Sequence, residues 1–328
     1  MTIKELAAYA NVSVATVSRV LNGNPLVRPE TREAVRRAVE ETGYTTNSLG
    51  RNLRISKSDV VLVVMPNIEN PFYADIVAGI DKRCRELGLN AMICNTYDSH
   101  EKLRHYCGYI DLKQARGVIL ISPTWKRDYK FLEGMPVVSC CETYEELPCS
   151  QVNIDNTRAG FDATQYLISL GAKRIAYIGG GQVAASGVER EKGFRDAMKE
   201  AGLPVEETLV DSGCFSYEQG LESARRIFST CVPDGVFAWS DEIAIAFMSE
   251  ARARGISIPK QMKVIGFDNI RYSTFVTPQL STVDQPRYEI GARAVNELMR
   301  VLDGNPPRTI RCPYTLLKRG STEEEDKR

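Results

Sequence analysis

The sequence predicts a small all-α head followed by an α/β body built as two doubly wound, parallel-sheet halves. Three observations carry this. Residues 1–46 hold short amphipathic stretches, each opened by a helix-capping residue. From residue 60, apolar runs of about four to six residues alternate with amphipathic stretches, in two successive series. Residues 1–58 carry nine Lys+Arg against five Asp+Glu within a 328-residue chain of net charge zero, so a basic head is attached to an equally acidic body. That asymmetry points to a nucleic-acid contact at one end, which whole-chain charge alone would argue against. Hydrophobic residues at 43% and charged residues at 26% fit a globular protein with a real core.

In the head, Thr2 N-caps a first helix from Ile3, with Glu5 as the capping-box acid and Ile3, Leu6, Ala7 and Ala10 as the apolar stripe. Asn11 tolerates the left-handed backbone of a tight turn, and Val12 packs beneath it. Ser13 caps a second helix, Val14 to Leu21, with Val17, Val20 and Leu21 inward. Val14, Ala15, Thr16, Ser18, Arg19 and Asn22 are left outward. A third helix starts at Pro29, and Val35, Ala38 and Val39 form its inner face. Two helices at this spacing match the helix-turn-helix pattern, whose second helix lies in the major groove. Small Val14 and Ala15 allow close approach to base edges, and Arg19 is long enough to reach guanine O6 and N7. Thr2, Ser13, Thr16 and Asn22 can donate to phosphates, which positions without specifying.

In the body, strands are expected at Val60–Met65, Asn90–Cys94, Gly117–Ile121 and Pro136–Cys140, then at Arg174–Ile178, Thr208–Val210, Gly235–Ala238 and Lys263–Gly266. Helical stretches such as Tyr73–Leu87 lie between them. This alternation implies parallel sheets with right-handed crossovers and ligands beyond the carboxyl ends of the strands. Two such halves facing each other form a cleft, as in periplasmic sugar-binding proteins.

The segment TIKELAAYANVSVATVSRVLNG resembles the amino-terminal signature of LacI/GalR-family transcription regulators, and the resemblance extends along almost the whole chain. It implies the domain plan 1–46 helix-turn-helix DNA-binding domain, 47–59 hinge helix and linker, 60–320 two-lobed effector-binding and dimerisation domain (periplasmic-binding-protein-like), and 321–328 disordered tail. Tyr44–Arg54 resembles the family's hinge, in which paired helices of a dimer enter the minor groove; Leu53 matches its wedging leucine, and Arg51 and Arg54 flank it to meet phosphates. By the same resemblance, Phe72 and Phe215 match positions that pack on the effector ring, Arg190 the clamping arginine, and Asp268 the carboxylate that takes ligand hydroxyl or amine groups. Ser240 is a further candidate contact, and Asp241 is expected to N-cap the helix that follows. Trp239 is unusual at its position and narrows the pocket, while Cys140-Cys141-Glu142 departs from the family's usual Asp-Arg. Crossovers between halves are expected near Asp155–Thr157, Phe267–Arg271 and Thr282–Gln285. Pieces such as Glu146-Leu147-Pro148 and Gln285–Gly291 are most similar to the cytidine-responsive repressor branch.

The expected function is therefore a DNA-binding repressor that binds a palindromic double-stranded operator as a homodimer and is controlled by a sugar or nucleoside. A carboxyl-terminal leucine heptad is absent, which favours the dimer over a tetramer. Alternatives are a global regulator controlled by a partner protein and a solute-binding protein without a DNA role. An enzyme is not expected: there is no G-x-S-x-G, P-loop or metal cluster, and His100 and His105 do not share a helix face. No cofactor or metal is implied. The nine cysteines are read as reduced thiols, and the absence of a leader or a long apolar run as a cytoplasmic location with no membrane contact.

Overall fold

The computed structural model describes residues 1–21, 24–44, 58–122, 128–143, 148–181 and 184–323. The expectations for Asn22, for the hinge residues Arg51, Leu53 and Arg54, and for the end of the tail at 324–328 fall outside these. The chain divides into two compact units, Met1–Ser58 and Asp59–Arg328.

Among the described residues, the first unit has three helices, α1 (Ile3–Tyr9), α2 (Val14–Leu21) and α3 (Pro29–Thr42). The capping box forms as read: the Glu5 N–H donates to Thr2 Oγ1 at 3.3 Å, and the Thr2 N–H donates to Glu5 Oε2 at 2.8 Å. Asn11 takes φ 51°, which turns the chain between α1 and α2. Ser13 Oγ then accepts from the Thr16 N–H at 3.1 Å and starts α2. Leu6, Ala7, Val17, Val20, Val35 and Ala38 close over one another as the core.

The second unit holds two six-stranded sheets. The first runs β11-β5-β4-β3-β1-β2, from β1 (Val60–Met65), β2 (Asn90–Asn95), β3 (Gly117–Ile121), β4 (Val137–Cys140), β5 (Ser150–Asn153) and β11 (Thr309–Arg311). The second runs β12-β10-β9-β8-β6-β7, from β6 (Ile175–Ile178), β7 (Val210–Asp211), β8 (Gly235–Ala238), β9 (Lys263–Phe267), β10 (Ser281–Asp284) and β12 (Thr315–Leu317). Among the described residues every pairing is parallel except β12 against β10. Strands covered on both faces read as continuous apolar runs, such as VVLVVM in β1. The helices are α4 (Phe72–Glu86), α5 (His100–Asp111), α6 (Asn156–Ser169), α7 (Ala185–Glu200), α8 (Tyr217–Thr230), α9 (Asp241–Ala253) and α10 (Arg287–Leu302).

Three expectations change. The chain does cross between sheets at 153–156 and at 284–287, because α6 packs on the second sheet and α10 on the first. The third crossing is at 311–315, between β11 and β12, and not at Phe267–Arg271, where β9 leads through a 3-10 turn to β10 of the same sheet. Thr208–Val210 is mostly a 3-10 turn, with only Val210–Asp211 paired, because this edge needs just two residues to cover Tyr177 and Ile178 of β6. Ser321, expected to begin the tail, is instead part of the core, and Thr322 is buried beside it. Ser321 is fully buried, donates through its hydroxyl to the Val264 carbonyl at 2.6 Å and accepts from the Ser281 N–H at 2.8 Å.

Close helix packing places the cleft side chains. α6 and α7 cross at Gly160 and Gly193; a Cβ on Gly193 would collide with the Thr157 carbonyl, and one on Gly160 would lie 2.6 Å from the Arg190 carbonyl. The glycine in the stretch Arg190-x-x-Gly193 thus lets α7 lie low on α6, with Arg190 directed toward the strand ends.

Candidate DNA-binding face and effector cleft

In the head, α2 buries Val17 and Val20 and leaves Ala15 and Arg19 exposed, with Val14, Thr16 and Ser18 half-buried. Val14, Ala15, Ser18 and Arg19 lie at helical spacing along one outward face. Ser13 and Thr2 are both exposed, and each hydroxyl accepts a helix-capping N–H. The Arg32 guanidinium donates to the Asn24 carbonyl at 3.1 Å and pins the loop that leads to α3.

In the body, Arg190 and Asp268 come together at the carboxyl ends of the second sheet. Arg190 is 5% exposed; Nε donates to Asn156 Oδ1 at 3.0 Å, Nη1 donates to the Trp239 carbonyl at 2.5 Å, and Nη1 stands 3.9 Å from Asp268 Oδ1. Its guanidinium lies 3.5 Å from the centre of the Phe267 ring. Asp268 is 8% exposed with φ 105°, a left-handed backbone that an L residue adopts only when its surroundings enforce it. Gln285 Nε2 donates to its Oδ1 at 2.7 Å, and Arg287 donates to its carbonyl. Arg287 also grips Asp75 of α4 at 2.8 Å, tying the two lobes beside the site. Burial pushes the Asp268 carboxyl up to about 6, against the opposing pull of Arg190 and Gln285.

The aromatic candidates take different places. Phe215 is exposed and meets Trp239 edge-on at 5.7 Å. Phe72 is buried at the start of α4, edge-on to Tyr73 at 5.5 Å, and takes part in the hydrophobic core. The N-cap role expected of Asp241 falls to Ser240, itself expected as a ligand contact. Ser240 is the N-cap of α9, its Oγ accepting from the Ile243 N–H at 3.4 Å. Asp241 is fully buried, where its side chain accepts from the Ile270 N–H at 2.9 Å and the Thr282 hydroxyl at 2.6 Å, joining the turn after β9, β10 and α9. Burial raises the Asp241 carboxyl well above its ordinary value. Asp98 helps line a separate small hollow of about 30 Å³ with Thr96, Ser122 and Tyr129, room for about one water.

Several contributors went unread as site residues. Glu142, just beyond β4 of the first sheet, is 4% exposed and reaches across to α7, accepting from the Ser186 N–H at 2.8 Å and the Ser186 hydroxyl at 2.7 Å. Burial pushes its carboxyl up to about 7, and Ser186 and Arg190 oppose the shift. Thr143 donates to Glu189 Oε1 at 3.1 Å, and Asn156 Nδ2 to Glu189 Oε2 at 3.1 Å. The available signal was position: Glu142 and Gln285 follow strands at their carboxyl ends, where such folds bind ligands. The described cysteines are all free thiols, and no group of described residues has the spacing of a metal site.

A helical head with an exposed reading face, attached to a two-lobed body with charged groups between its sheets, defines a DNA-binding regulator with a small-molecule-binding-protein body. Residues 2–47 match bacterial regulatory proteins of the lacI family, and residues 164–322 match the periplasmic binding protein-like domain. The chain belongs to the lacI family of bacterial regulatory proteins. It is similar to catabolite control protein A of Priestia megaterium, 34% identical with 98% of this chain and 99% of that protein covered. The HTH-type transcriptional repressor CytR of Escherichia coli strain K12 is 33% identical, with 98% and 96% covered. Among solved structures, the transcriptional regulator CelR–cellobiose complex has a TM-score of 0.76 at 33% identity, covering 98% of this chain and 99% of that one. A lac repressor dimer bound to operator and anti-inducer has a TM-score of 0.89 at 22% identity, covering 98% and 99%, a likeness of fold. None of the helices among the described residues is long and apolar enough to cross a membrane.

Proposed function

We propose that the chain is a cytoplasmic, dimeric transcription repressor whose affinity for a palindromic operator is set by an uncharged polar effector, a sugar or nucleoside, held between the two lobes. The observation that carries the effector site is the buried Arg190–Asp268 pair at the strand ends, with Asn156 and Gln285 as its polar partners. Buried charge is costly to desolvate, and such groups cluster at binding sites in clefts. Phe215 and Trp239 form an aromatic wall that suits a flat ring or the apolar face of a sugar. Arg51, Leu53 and Arg54 are proposed for the hinge contacts with the minor groove, and Val14, Ala15 and Arg19 for base edges. Effector binding that favours one lobe arrangement would change operator affinity, with a typical coupling of about 1–3 kcal/mol. The relatives named above support this reading, which requires no catalytic step.

The test is a thermal-shift screen of sugars and nucleosides on the full chain, followed by operator binding with and without the hit. A ligand present at 100 times its Kd stabilises by about 2.7 kcal/mol. Arg190→Ala and Asp268→Ala should each abolish the shift; a shift that survives both displaces the site. DNA affinity that responds to a partner protein and to none of the small molecules would favour a protein-controlled regulator. Ligand binding with no operator affinity would favour a solute-binding protein.

A further inference from the structure

Glu142 is the one carboxylate of the first lobe seen to reach into the second lobe at the cleft among the described residues, and the effector reading does not use it. Both of its oxygens are occupied by Ser186, which is itself buried near the start of α7. α7 has no side-chain cap of its own, since Ala184 occupies the N-cap position. Glu142 therefore acts as an internal anion, supplied by one lobe to the opening turn of a helix in the other. A chain of contacts joins this point to the effector site: Thr143, next to Glu142, donates to Glu189, Glu189 also accepts from Asn156, Asn156 accepts from Arg190, and Arg190 stands 3.9 Å from Asp268. The cation there, Arg190, already donates to Asn156 and to the Trp239 carbonyl.

We infer that Glu142 sets the charge class of the effector, admitting neutral hydroxyl-rich ligands and rejecting those that carry a phosphate or carboxylate. This rests on the effector reading above. The physical reason is donor arithmetic. At pH 8, above the values of about 7 and about 6 to which burial raises them, Glu142 and Asp268 are ionised and act as acceptors only, so a sugar or nucleoside can offer them O–H or N–H donors. A phosphate brings further acceptors and further negative charge, and the polar hydrogens it would need on α7 are already taken by Glu142. Glu142→Ala frees both the Ser186 N–H and hydroxyl and removes the repulsion, while Glu142→Gln removes the charge but keeps one acceptor for Ser186.

Two arms test this separately. In the first, wild type and Glu142→Gln are titrated with cytidine against cytidine 5′-monophosphate, and with cellobiose against cellobionate. Wild type should bind the neutral member at least tenfold tighter than its anionic partner, and Glu142→Gln should narrow that ratio by at least tenfold. An unchanged ratio in the variant overturns the inference. If neither neutral compound binds wild type while other sugars and nucleosides also fail, the effector reading falls. The second arm needs no effector and decides the Glu142 inference even then. Inorganic phosphate should raise the Tm of Glu142→Ala, and of Glu142→Gln to a smaller degree, while leaving wild type unmoved. Phosphate that stabilises wild type equally, or that stabilises neither variant, refutes the role of Glu142. The glutamine variant keeps the size and one acceptor of the native side chain, so it guards against loss of folding in the alanine variant.

Discussion

Asp268→Asn should make this protein more stable as it makes it insensitive to effector. Asp268 is held ionised only at a cost, because burial raises its carboxyl to about 6 even with Arg190 and Gln285 beside it. Moving an acid from an ordinary value near 4 to about 6 costs its ionised form about 3 kcal/mol, at ~1.4 kcal/mol per pH unit. The sign follows from proton binding. Between about pH 4 and 6 the folded state holds a proton that the unfolded state has lost, so stability falls as pH rises through this window; above it the full cost is present. Asparagine copies the neutral form, still accepts from Gln285 Nε2 and tolerates a positive φ. The attraction of Arg190 is already contained in the carboxyl's position and is not subtracted again. The variant's advantage should therefore be about 1.5 kcal/mol at pH 5 and about 3 kcal/mol at pH 8. Urea unfolding of the full chain without effector, at pH 5, 6.5 and 8, measures it, and a thermal-shift titration reads the loss of effector response. An advantage that does not grow with pH, or a variant less stable than wild type at pH 8, would refute the claim that Asp268 is a strained, desolvated carboxylate.

Other outcomes follow from the same geometry. The wild-type body should lose stability from pH 5 to about pH 7 and then level off, because Glu142, raised to about 7, adds its own desolvation cost to that of Asp268 in the same direction; Glu142→Gln should flatten the slope between about pH 6 and 7 in urea unfolding. Asp241→Ala should cost about 3 kcal/mol or more, since it orphans the buried Ile270 N–H and the Thr282 hydroxyl, while Asp241→Asn should cost less. Leu6→Ala in the small head core should cost that unit about 2–5 kcal/mol and abolish operator binding with effector binding intact, checked by circular dichroism and gel shift. Arg19→Ala, on an exposed helix face, should leave folding unchanged yet lose about 1–3 kcal/mol of discrimination at one base pair. Equal loss on specific and random DNA would assign Arg19 to phosphate instead.

What could be read in advance depended on how local the cause was. The head was legible because Thr2, Glu5, Asn11 and Ser13 act within three residues of their partners. Arg190 and Asp268 were legible because they sit in recognisable stretches, and the structure brings them to 3.9 Å of each other. Asp241 was read as the cap that Ser240 supplies because a cap and a buried acceptor of two distant donors look alike in one dimension. Thr282 and Ile270 are 41 and 29 residues from Asp241. The crossing at 311–315 was missed because β11 and β12 are three residues each and gain their pairing only from sheets completed far upstream.

The sequence by itself determined that a capped helix-turn-helix precedes a doubly repeated α/β body, and that charge is split between them, because capping, periodicity and composition are properties of neighbouring residues. Only the tertiary structure decided that Glu142 of one lobe meets Ser186 of the other, that Gly160 and Gly193 let two helices close on Arg190, and that Ser321 belongs to the core. Each of these depends on atoms brought together from segments tens of residues apart, where packing distance and desolvation, rather than local propensity, select the partner.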